Sequence, residues 1–181
     1  MTSQQNKIAV FDLDGTLIET DAANSAAYHA AMQKYGVDVF GVYGRVTASV
    51  IRQILCDNGK NDVDAIIDEK VAAYCHELWR TRLGPAANEL ECVMVERAVF
   101  DKVVLLTDSS ERRAMETLNY HSLAGCFDEI VCNGGRGDKF ANYFGSFDSD
   151  PAACVVWENE EGQIKSAIAA GVKVENIRKV R

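Results

Sequence analysis

An apolar run that ends in two closely spaced carboxylates is the feature that most constrains this chain. Residues 8–11 read Ile-Ala-Val-Phe, a composition that favours a buried strand. Asp12 and Asp14 follow at once, and a Gly-Thr turn comes next. Because side chains at i and i+2 of an extended segment lie on the same side, the two carboxylates are expected to converge. Like charges at such a distance need a shared cation or proton, so the pattern predicts a metal-assisted catalytic site.

Two other interpretations of the Asp-x-Asp-Gly segment are an ordinary acidic turn and half of a calcium loop. Asp-Gly is a common loop dipeptide. An EF-hand loop that began at Asp12 would need a glutamate at its twelfth position, where the chain has Ala23. The calcium interpretation therefore fails. An apolar strand that runs directly into Asp-x-Asp-Gly-Thr is rarer than a plain turn, and it favours a catalytic role.

The composition is that of a globular protein with an acidic surface. The chain has 181 residues, 48% of them hydrophobic and 25% charged, with a formal net charge of −8. This length suits one full core with a modest insertion. The negative charge argues against nucleic acid and anionic membranes as partners, because both require basic surfaces. An anionic small molecule would have to be captured locally by a metal, a lysine or backbone amides.

The cysteines and the N-terminus predict a cytoplasmic protein. The six cysteines show no Cys-x-x-Cys spacing and most have apolar neighbours, so we expect small buried hydrophobes in a reducing compartment. The N-terminus is polar and no apolar run approaches the length of a membrane span, which predicts neither a signal peptide nor a transmembrane helix. The cysteines concerned are Cys56, Cys75, Cys92, Cys126, Cys132 and Cys154.

The apolar spacing divides the chain into a helical insertion and an alternating α/β remainder. Helices are predicted over 21–35, 47–56 and 62–79, with Gly36 as a stop signal. After Gly84-Pro85, strands and helices alternate, which predicts a parallel sheet with helices on both faces. The domain prediction is an α/β core of residues 1–17 and 85–181, interrupted by a helical unit of residues 18–84.

The elements predicted for the core are strands and helices in turn. Ligands of such sheets bind at the carboxyl ends of the strands, and Asp12, Thr107 and residues 157–159 all fall there. Helices are predicted over 88–99, 107–118, 140–147 and 161–170, and strands over 103–106, 128–132, 154–157 and near Val172 or 177–180.

The first motif, Asp12-Leu13-Asp14-Gly15-Thr16 after a strand, resembles that of the haloacid dehalogenase superfamily. Within it, the chain is similar to the phosphoglycolate phosphatase and β-phosphoglucomutase-like branch, which inserts a helical cap after this motif. The resemblance implies a Rossmann-like core, a Mg²⁺ cofactor and hydrolysis of a small phosphate ester. Asp12 would be the nucleophile that forms an aspartyl-phosphate, and Asp14 the acid/base. Haloacid-cleaving members generally lack the second aspartate, so Asp14 favours phosphate chemistry.

The next two motifs implied by the resemblance supply phosphate-binding groups. Residues 105–110, Leu-Leu-Thr-Asp-Ser-Ser, place Thr107 and Ser109 as substrate contacts, with the helix after Thr107 as an anion site. Thr107 or Asp108 could instead be a helix N-cap, and Asp108 stands where an asparagine is usual. Lys139 would neutralise the nucleophile and the phosphoryl oxygens; alone, it would be taken for a surface lysine.

The fourth motif departs most from the family pattern. Counting back from Ala170-Gly171 places Asn159 at the position of the metal-binding aspartate. An asparagine oxygen ligates Mg²⁺ without charge, so we expect weaker binding, with Glu158 or Glu160 as compensating acids. The metal ligands implied are then Asp12, Asp14, Asn159 and Glu158.

The insertion is expected to supply substrate selectivity. Gly44-Arg45-Val46-Thr47 resembles cap segments of the same branch, so Arg45 is a candidate substrate contact, although a helix-flanking arginine is commonly a plain surface residue. Three alternatives remain open from the sequence: a phosphatase, a phosphosugar mutase with the same nucleophile, and a weak or inactive binding domain. The expected assembly is a monomer or a homodimer.

Overall fold

Residues 20–82 form a unit of their own within the chain. The computed structural model describes residues 7–37, 48–57, 63–146 and 149–181. One unit comprises Met1–Glu19 with Leu83–Arg181, and the other comprises Thr20–Arg82. The boundaries predicted from the sequence, 17/18 and 84/85, each differ by two residues from those of the structure, 19/20 and 82/83. The difference arises because strand β2, Ile18–Glu19, pairs with β3, Arg82–Leu83, where the chain leaves and re-enters the first unit.

A five-stranded parallel sheet forms the centre of the first unit, and it confirms the α/β fold class. The strand order is β5-β4-β1-β6-β7, and each adjacent pair runs parallel. The strand that precedes the two aspartates is therefore the central one. The strands are β1 (Ile8–Phe11), β4 (Lys102–Thr107), β5 (Glu129–Cys132), β6 (Cys154–Glu158) and β7 (Ile177–Lys179).

Helices cover both faces of the sheet, as the alternating pattern predicts. Helices α4 (Ala87–Val95) and α5 (Glu111–Tyr120) pack on one face, and α6 (Lys139–Ser146) and α7 (Glu161–Ala169) pack on the other. Alternate residues of each strand point to opposite faces, so the sheet supplies two separate cores. The first core contains Ala9, Phe11, Leu105, Trp157, Leu90 and Leu118, and the second Val10, Leu106, Val156, Phe140 and Ala167.

The helix predicted over 107–118 begins four residues later than expected. Thr107 is the last residue of β4, and α5 begins at Glu111 with Ser110 at its N-cap. The Ser109 N–H donates to Thr107 Oγ1 at 3.1 Å. A side-chain acceptor thus satisfies this backbone donor, and the intervening residues form a turn instead of a helical end. The last strand, at the edge of the sheet, is Ile177–Lys179; of the two positions predicted for it, the one near Val172 is therefore wrong.

The described part of the second unit is helical. Its helices are α1 (Asp21–Lys34), α2 (Ala48–Asp57) and α3 (Val63–His76). Helix α1 ends as predicted, since Gly36 adopts φ +65° beyond its last turn, a conformation that glycine takes at no steric cost. In the core of this unit, Lys70 is buried with its Nζ 4.6 Å from the centroid of the Tyr28 ring. Among the residues described, no helix is both long and apolar enough to span a membrane.

The cysteines are less buried than the sequence predicts. All six are free thiols, but Cys56 and Cys92 are exposed and only Cys154 is fully buried. The prediction of buried hydrophobes is therefore wrong for Cys56 and Cys92. Cys92 lies between the inward-facing Leu90 and Val93 of α4, on the side of the helix away from the core.

Gly84 holds β3 against the turn that follows the two aspartates, and a side chain there should destabilise the first unit. A Cβ at Gly84 would stand 2.5 Å from Thr16 O and 2.8 Å from the Leu17 carbonyl carbon. Since these are backbone atoms that cannot move aside cheaply, Gly84→Ala is expected to lower the free energy of unfolding by about 1–3 kcal/mol. Urea denaturation followed by circular dichroism measures the change.

Gly125→Ala is the matched control, because a Cβ at Gly125 meets no atom within 4 Å. The control should unfold within about 0.5 kcal/mol of the wild type. Equal stability of the two variants would show that the backbone contact at Gly84 relaxes without cost.

Candidate active site

The carboxyl edge of the sheet brings the predicted strand-end residues together. Phe11, the last residue of the central strand, lies in register with Leu105 of β4 and Trp157 of β6. The Asp12 N–H continues this pairing by donating to Trp157 O at 3.1 Å. Asp12 therefore leaves the sheet between the ends of β4 and β6.

Lys139 joins the carboxylates of Asp12 and Glu158 in a buried ion-pair cluster. Its Nζ lies 2.7 Å from Asp12 Oδ1 and 2.8 Å from Glu158 Oε2. The exposed fractions of the Lys139, Asp12 and Glu158 side chains are 2%, 8% and 1%. We call these three residues the Asp12–Lys139–Glu158 cluster. Residues from three separate segments of the chain thus meet with almost no access to water.

The start of helix α6 fixes the position of Lys139. Asp138 Oδ1 accepts hydrogen bonds from the N–H groups of Phe140 at 2.9 Å and Ala141 at 3.0 Å, which satisfies donors that a helix otherwise leaves unpaired at its first turn. The neighbouring Ser166 side chain and these N–H groups hold the pKa of Asp138 below its usual range. The ionised carboxylate thereby orients the first residue of α6 toward the sheet edge.

Burial and the neighbouring charges raise the pKa values of Asp12 and Lys139. Desolvation raises the pKa of Asp12 to about 7, with Glu158 and Asp14 adding to the effect and Lys139 opposing it. Burial alone would lower the pKa of Lys139, but the attraction of Asp12 and Glu158 outweighs it and raises this pKa. With both carboxylates ionised, the cluster carries a net charge of −1, so a further cation beside Asp12 is electrostatically favoured.

Glu158 is the acid of the fourth motif that reaches Lys139. Its second oxygen, Oε1, accepts the N–H groups of Asn159 at 2.9 Å and Glu160 at 3.0 Å. Both oxygens of the fully buried Glu158 therefore have protein partners. The side chain links Lys139 to the turn that begins α7, and it shapes the backbone on which Asn159 stands.

Asn159 lies against the turn that follows the two aspartates. Its Oδ1 accepts a hydrogen bond from the Thr16 hydroxyl at 3.2 Å. A Cβ at Gly15 would stand 2.3 Å from Asn159 Nδ2, and Gly15 has φ +77°, so this close approach requires glycine. The fourth motif thus packs directly on the first, as the backward count to Asn159 implies.

The Asp14 carboxylate points to a different basic partner from that of Asp12. Arg113 of α5 donates to both Asp14 oxygens, through Nη1 to Oδ2 at 3.1 Å and through Nη2 to Oδ1. Ser109 Oγ also lies 2.5 Å from Asp14 Oδ2. The two carboxylates that were expected to share one cation therefore each have a cation of their own. Sequence reasoning missed Arg113, although its position one helical turn after Ser109 is a signal that could have suggested it.

Asp108 is held by side-chain amides at the end of β4. Its carboxylate accepts from Asn133 Nδ2 at 2.6 Å and from Gln163 Nε2 at 2.9 Å. Asn133 Nδ2 also donates to Gly137 O at 3.0 Å. Side-chain amides of the protein thus stabilise the negative charge of Asp108, next to Thr107. Asn133 directly follows β5, and the rule that strand ends carry site residues could have identified it.

Thr107 and Ser109 lie at the same edge, and Arg45 cannot be placed. Thr107 is fully buried, and its hydroxyl accepts the Ser109 N–H, so the chain of contacts runs from Thr107 through Ser109 to Asp14. Among the described residues, no hydrogen bond joins the side chains of Thr107 and Asp12. Arg45 lies outside the residues that the structure describes.

The donor set beside Asp12 fits Mg²⁺, but with less charge than three acids would give. Within the described ranges, no three His, Cys, Asp or Glu side chains form a metal-binding group. What the described residues offer instead is the carboxylates of Asp12 and Glu158, which meet at Lys139 with the net negative charge noted above, and the side chain of Asn159, which directly follows Glu158. Oxygen donors of this kind suit Mg²⁺, so Asp12, Glu158 and Asn159 are the residues that would hold it.

The chain is similar to several known proteins. A curated relative, the phosphorylated carbohydrates phosphatase of Thermotoga maritima, is 26% identical and spans 91% of this chain and 81% of its own. The structure of CbbY from Rhodobacter sphaeroides in complex with phosphate superimposes with a TM-score of 0.76 at 20% identity, over 93% of this chain and 84% of that one. YfnB from Bacillus subtilis, bound to magnesium, gives a TM-score of 0.69 at 14% identity, over 93% and 87%.

At these identities the two structures show a shared fold. The family assignment comes from the sequence model of the haloacid dehalogenase-like hydrolases, which matches residues 9–177 and so includes most of β1, both aspartates and the fourth motif. The resemblance noted from the first motif is confirmed: the chain belongs to the haloacid dehalogenase-like hydrolases.

Proposed function

We propose that this protein hydrolyses a phosphate monoester of a small metabolite through a phosphorylated Asp12. The observation that carries the proposal is the Asp12–Lys139–Glu158 cluster. Lys139 donates a hydrogen bond to Oδ1 of Asp12, and no described residue donates a hydrogen bond to Oδ2. One oxygen of a buried carboxylate is thus held in place while the other is available to attack.

In the first step, Asp12 Oδ2 forms a bond to phosphorus as the ester P–O bond breaks. The departing oxygen takes a proton from Asp14, which acts as the general acid. Lys139 stays within hydrogen-bonding distance of Asp12 and balances negative charge at the reacting centre. The buried position of the cluster excludes bulk water, so this charge pairing is stronger than it would be in solvent.

In the second step, water attacks the phosphorus of the aspartyl-phosphate. Asp14, now ionised, accepts the proton of that water, and the P–O bond to Asp12 breaks to release inorganic phosphate and restore the carboxylate. The Thr107 hydroxyl lies two residues from Ser109 at the same sheet edge, and we assign to both hydroxyls the binding of phosphoryl oxygens.

The cofactor we propose is Mg²⁺, bound through Asp12, Glu158 and Asn159. When bound, it would neutralise phosphoryl charge and orient the ester. The magnesium in the YfnB structure supports this choice. Asp14 is a further proposed ligand, and like Glu158 it already has a protein partner on each carboxylate oxygen.

The substrate class we propose is a phosphorylated carbohydrate, on the strength of the Thermotoga maritima phosphatase. Binding of the ester by Arg45 stays part of this proposal.

The compartment we propose is the cytoplasm, which the six free thiols support. A phosphosugar mutase would use the same nucleophile, and product analysis by NMR distinguishes an isomerised phosphate from free phosphate.

Replacing the nucleophile tests the proposal directly. Asp12→Asn is expected to lower kcat for p-nitrophenyl phosphate and for a panel of sugar phosphates by roughly 10³-fold or more, because an amide cannot attack phosphorus. Chelation of the wild type with EDTA should abolish turnover, and added Mg²⁺ should restore it. Phosphate release is measured colorimetrically.

The exposed Asp101→Asn is the matched control and should retain wild-type turnover, since Asp101 lies at the opposite, amino end of β4. Acid quenching during turnover, followed by mass spectrometry of the peptide that contains Asp12, should reveal an added phosphoryl group. Turnover that survives Asp12→Asn, or that persists in EDTA, contradicts this mechanism. A wild type that turns over no phosphate ester would instead favour a binding domain.

Restoring a charge at Asn159 should strengthen Mg²⁺ binding. In Asn159→Asp a carboxylate replaces a neutral amide oxygen beside Asp12 and Glu158, and we expect a roughly tenfold lower Kd for Mg²⁺. Isothermal titration calorimetry gives the Kd, and the Mg²⁺ concentration needed to raise Tm gives an independent readout.

Asn88→Asp is the matched control, because it adds the same charge at an exposed position in the first turn of α4. Its Kd for Mg²⁺ should equal that of the wild type. An unchanged Kd in Asn159→Asp would mean that the side chain at 159 lies outside the reach of the metal.

A further inference from the structure

We propose that Arg113 is a positioning residue that holds the Asp14 carboxylate beside the phosphoryl site. This inference rests on the proposed function, in which Asp14 transfers the proton. Arg113 lies on α5, outside each of the four motifs. Its role is inferred from its contacts alone.

The contacts of Arg113 differ from those of an ordinary surface ion pair. Both of its terminal nitrogens bond to Asp14, one to each carboxylate oxygen. Such a two-point contact fixes the plane of the carboxylate as well as its position. The side chains of Arg113 and Asp14 are only 11% and 15% exposed, so water screens this pair far less than it would an exposed one.

A third residue connects this pair to the phosphoryl site. Ser109 Oγ contacts Asp14 Oδ2 at 2.5 Å and also pairs with Arg113 Nη1. The N–H of the same serine donates to Thr107 Oγ1. Arg113, Asp14 and Ser109 thus form a ring of hydrogen bonds, and the backbone N–H of Ser109 connects this ring to the buried Thr107 at the end of β4. An Asp14 carboxylate held in this ring stays next to the groups assigned to phosphoryl binding.

The consequence concerns the leaving group of the ester. A correctly placed general acid matters most when the departing oxygen is strongly basic, and least when the leaving group is stable as an anion. Loss of Arg113 should therefore slow poor leaving groups more than good ones. It should affect kcat rather than KM, because Arg113 acts on Asp14 and not on the substrate.

The test compares wild type, Arg113→Gln, Arg113→Lys and Asp14→Asn on 4-nitrophenyl, 4-cyanophenyl and phenyl phosphate in saturating Mg²⁺. Arg113→Gln is expected to lower kcat for phenyl phosphate at least about tenfold more than for 4-nitrophenyl phosphate, with KM within about threefold of wild type. Arg113→Lys should recover part of the loss, since one ammonium replaces the two-point contact. In the Asp14→Asn background, Arg113→Gln should cost little more.

Arg112→Gln is the matched control: Arg112 is the exposed neighbour on the same helix, and its variant should behave as wild type across the series. An equal loss for all three esters, a change confined to KM, or an undiminished loss in the Asp14→Asn background overturns the proposal. A rise in kcat would also overturn it, because Arg113 would then restrain Asp14 from acting.

A crystal structure of Arg113→Gln supplies a readout that does not depend on turnover. The Asp14 carboxylate is expected to have left Ser109, and an unchanged carboxylate overturns the proposal. If the wild type hydrolyses no phosphate ester, the proposed function fails on that result, while the position of Asp14 in the variant still decides what Arg113 does.

Discussion

The buried contact of Lys139 with Asp12 and Glu158 is the interaction on which the rest of the site depends. It joins the end of the central strand, the start of α6 and the end of β6 through two hydrogen bonds of 2.7 and 2.8 Å. Removing one member of a buried ion pair commonly costs about 3–5 kcal/mol, because the remaining charges lose their partner in a poorly solvated place. The same lysine therefore serves both the assembly of the sheet edge and the charge balance of Asp12, the proposed nucleophile.

The two aspartates of the first motif are separated in function by their different cations. Lys139 reaches Asp12 from one face of the sheet, where α6 packs, and Arg113 reaches Asp14 from the other, where α5 packs. A carboxylate next to an ammonium and one clamped by a guanidinium differ in geometry as well as in charge environment. This division suits a nucleophile and a proton-transferring group that must act on opposite sides of one phosphorus–oxygen bond.

Residues at the carboxyl ends of strands were the predictable part of the site. Asp12, Thr107 and Glu158 could be placed at one edge because the carboxyl ends of parallel strands meet there, and the role of Lys139 was implied by the family resemblance. Arg113, Asn133 and Gln163 were not foreseen, since they act through side-chain reach from neighbouring elements. The late start of α5 was missed for a related reason: the hydroxyl of Thr107 competes for a backbone donor that helix propensity assigns to the helix.

The sequence by itself determined the family, the parallel α/β core and the nucleophile candidate, because each follows from local order: an apolar strand, a turn and two acids at a fixed spacing. Only the tertiary structure decided which charges meet. In that structure Lys139 forms ion pairs with both Glu158 and Asp12, and Arg113 forms one with Asp14. Asn159 packs against Gly15 and Thr16. The hydrogen bond between Thr16 and Asn159 joins residues 143 positions apart, and side-chain contacts over such separations depend on packing distances that no local pattern encodes.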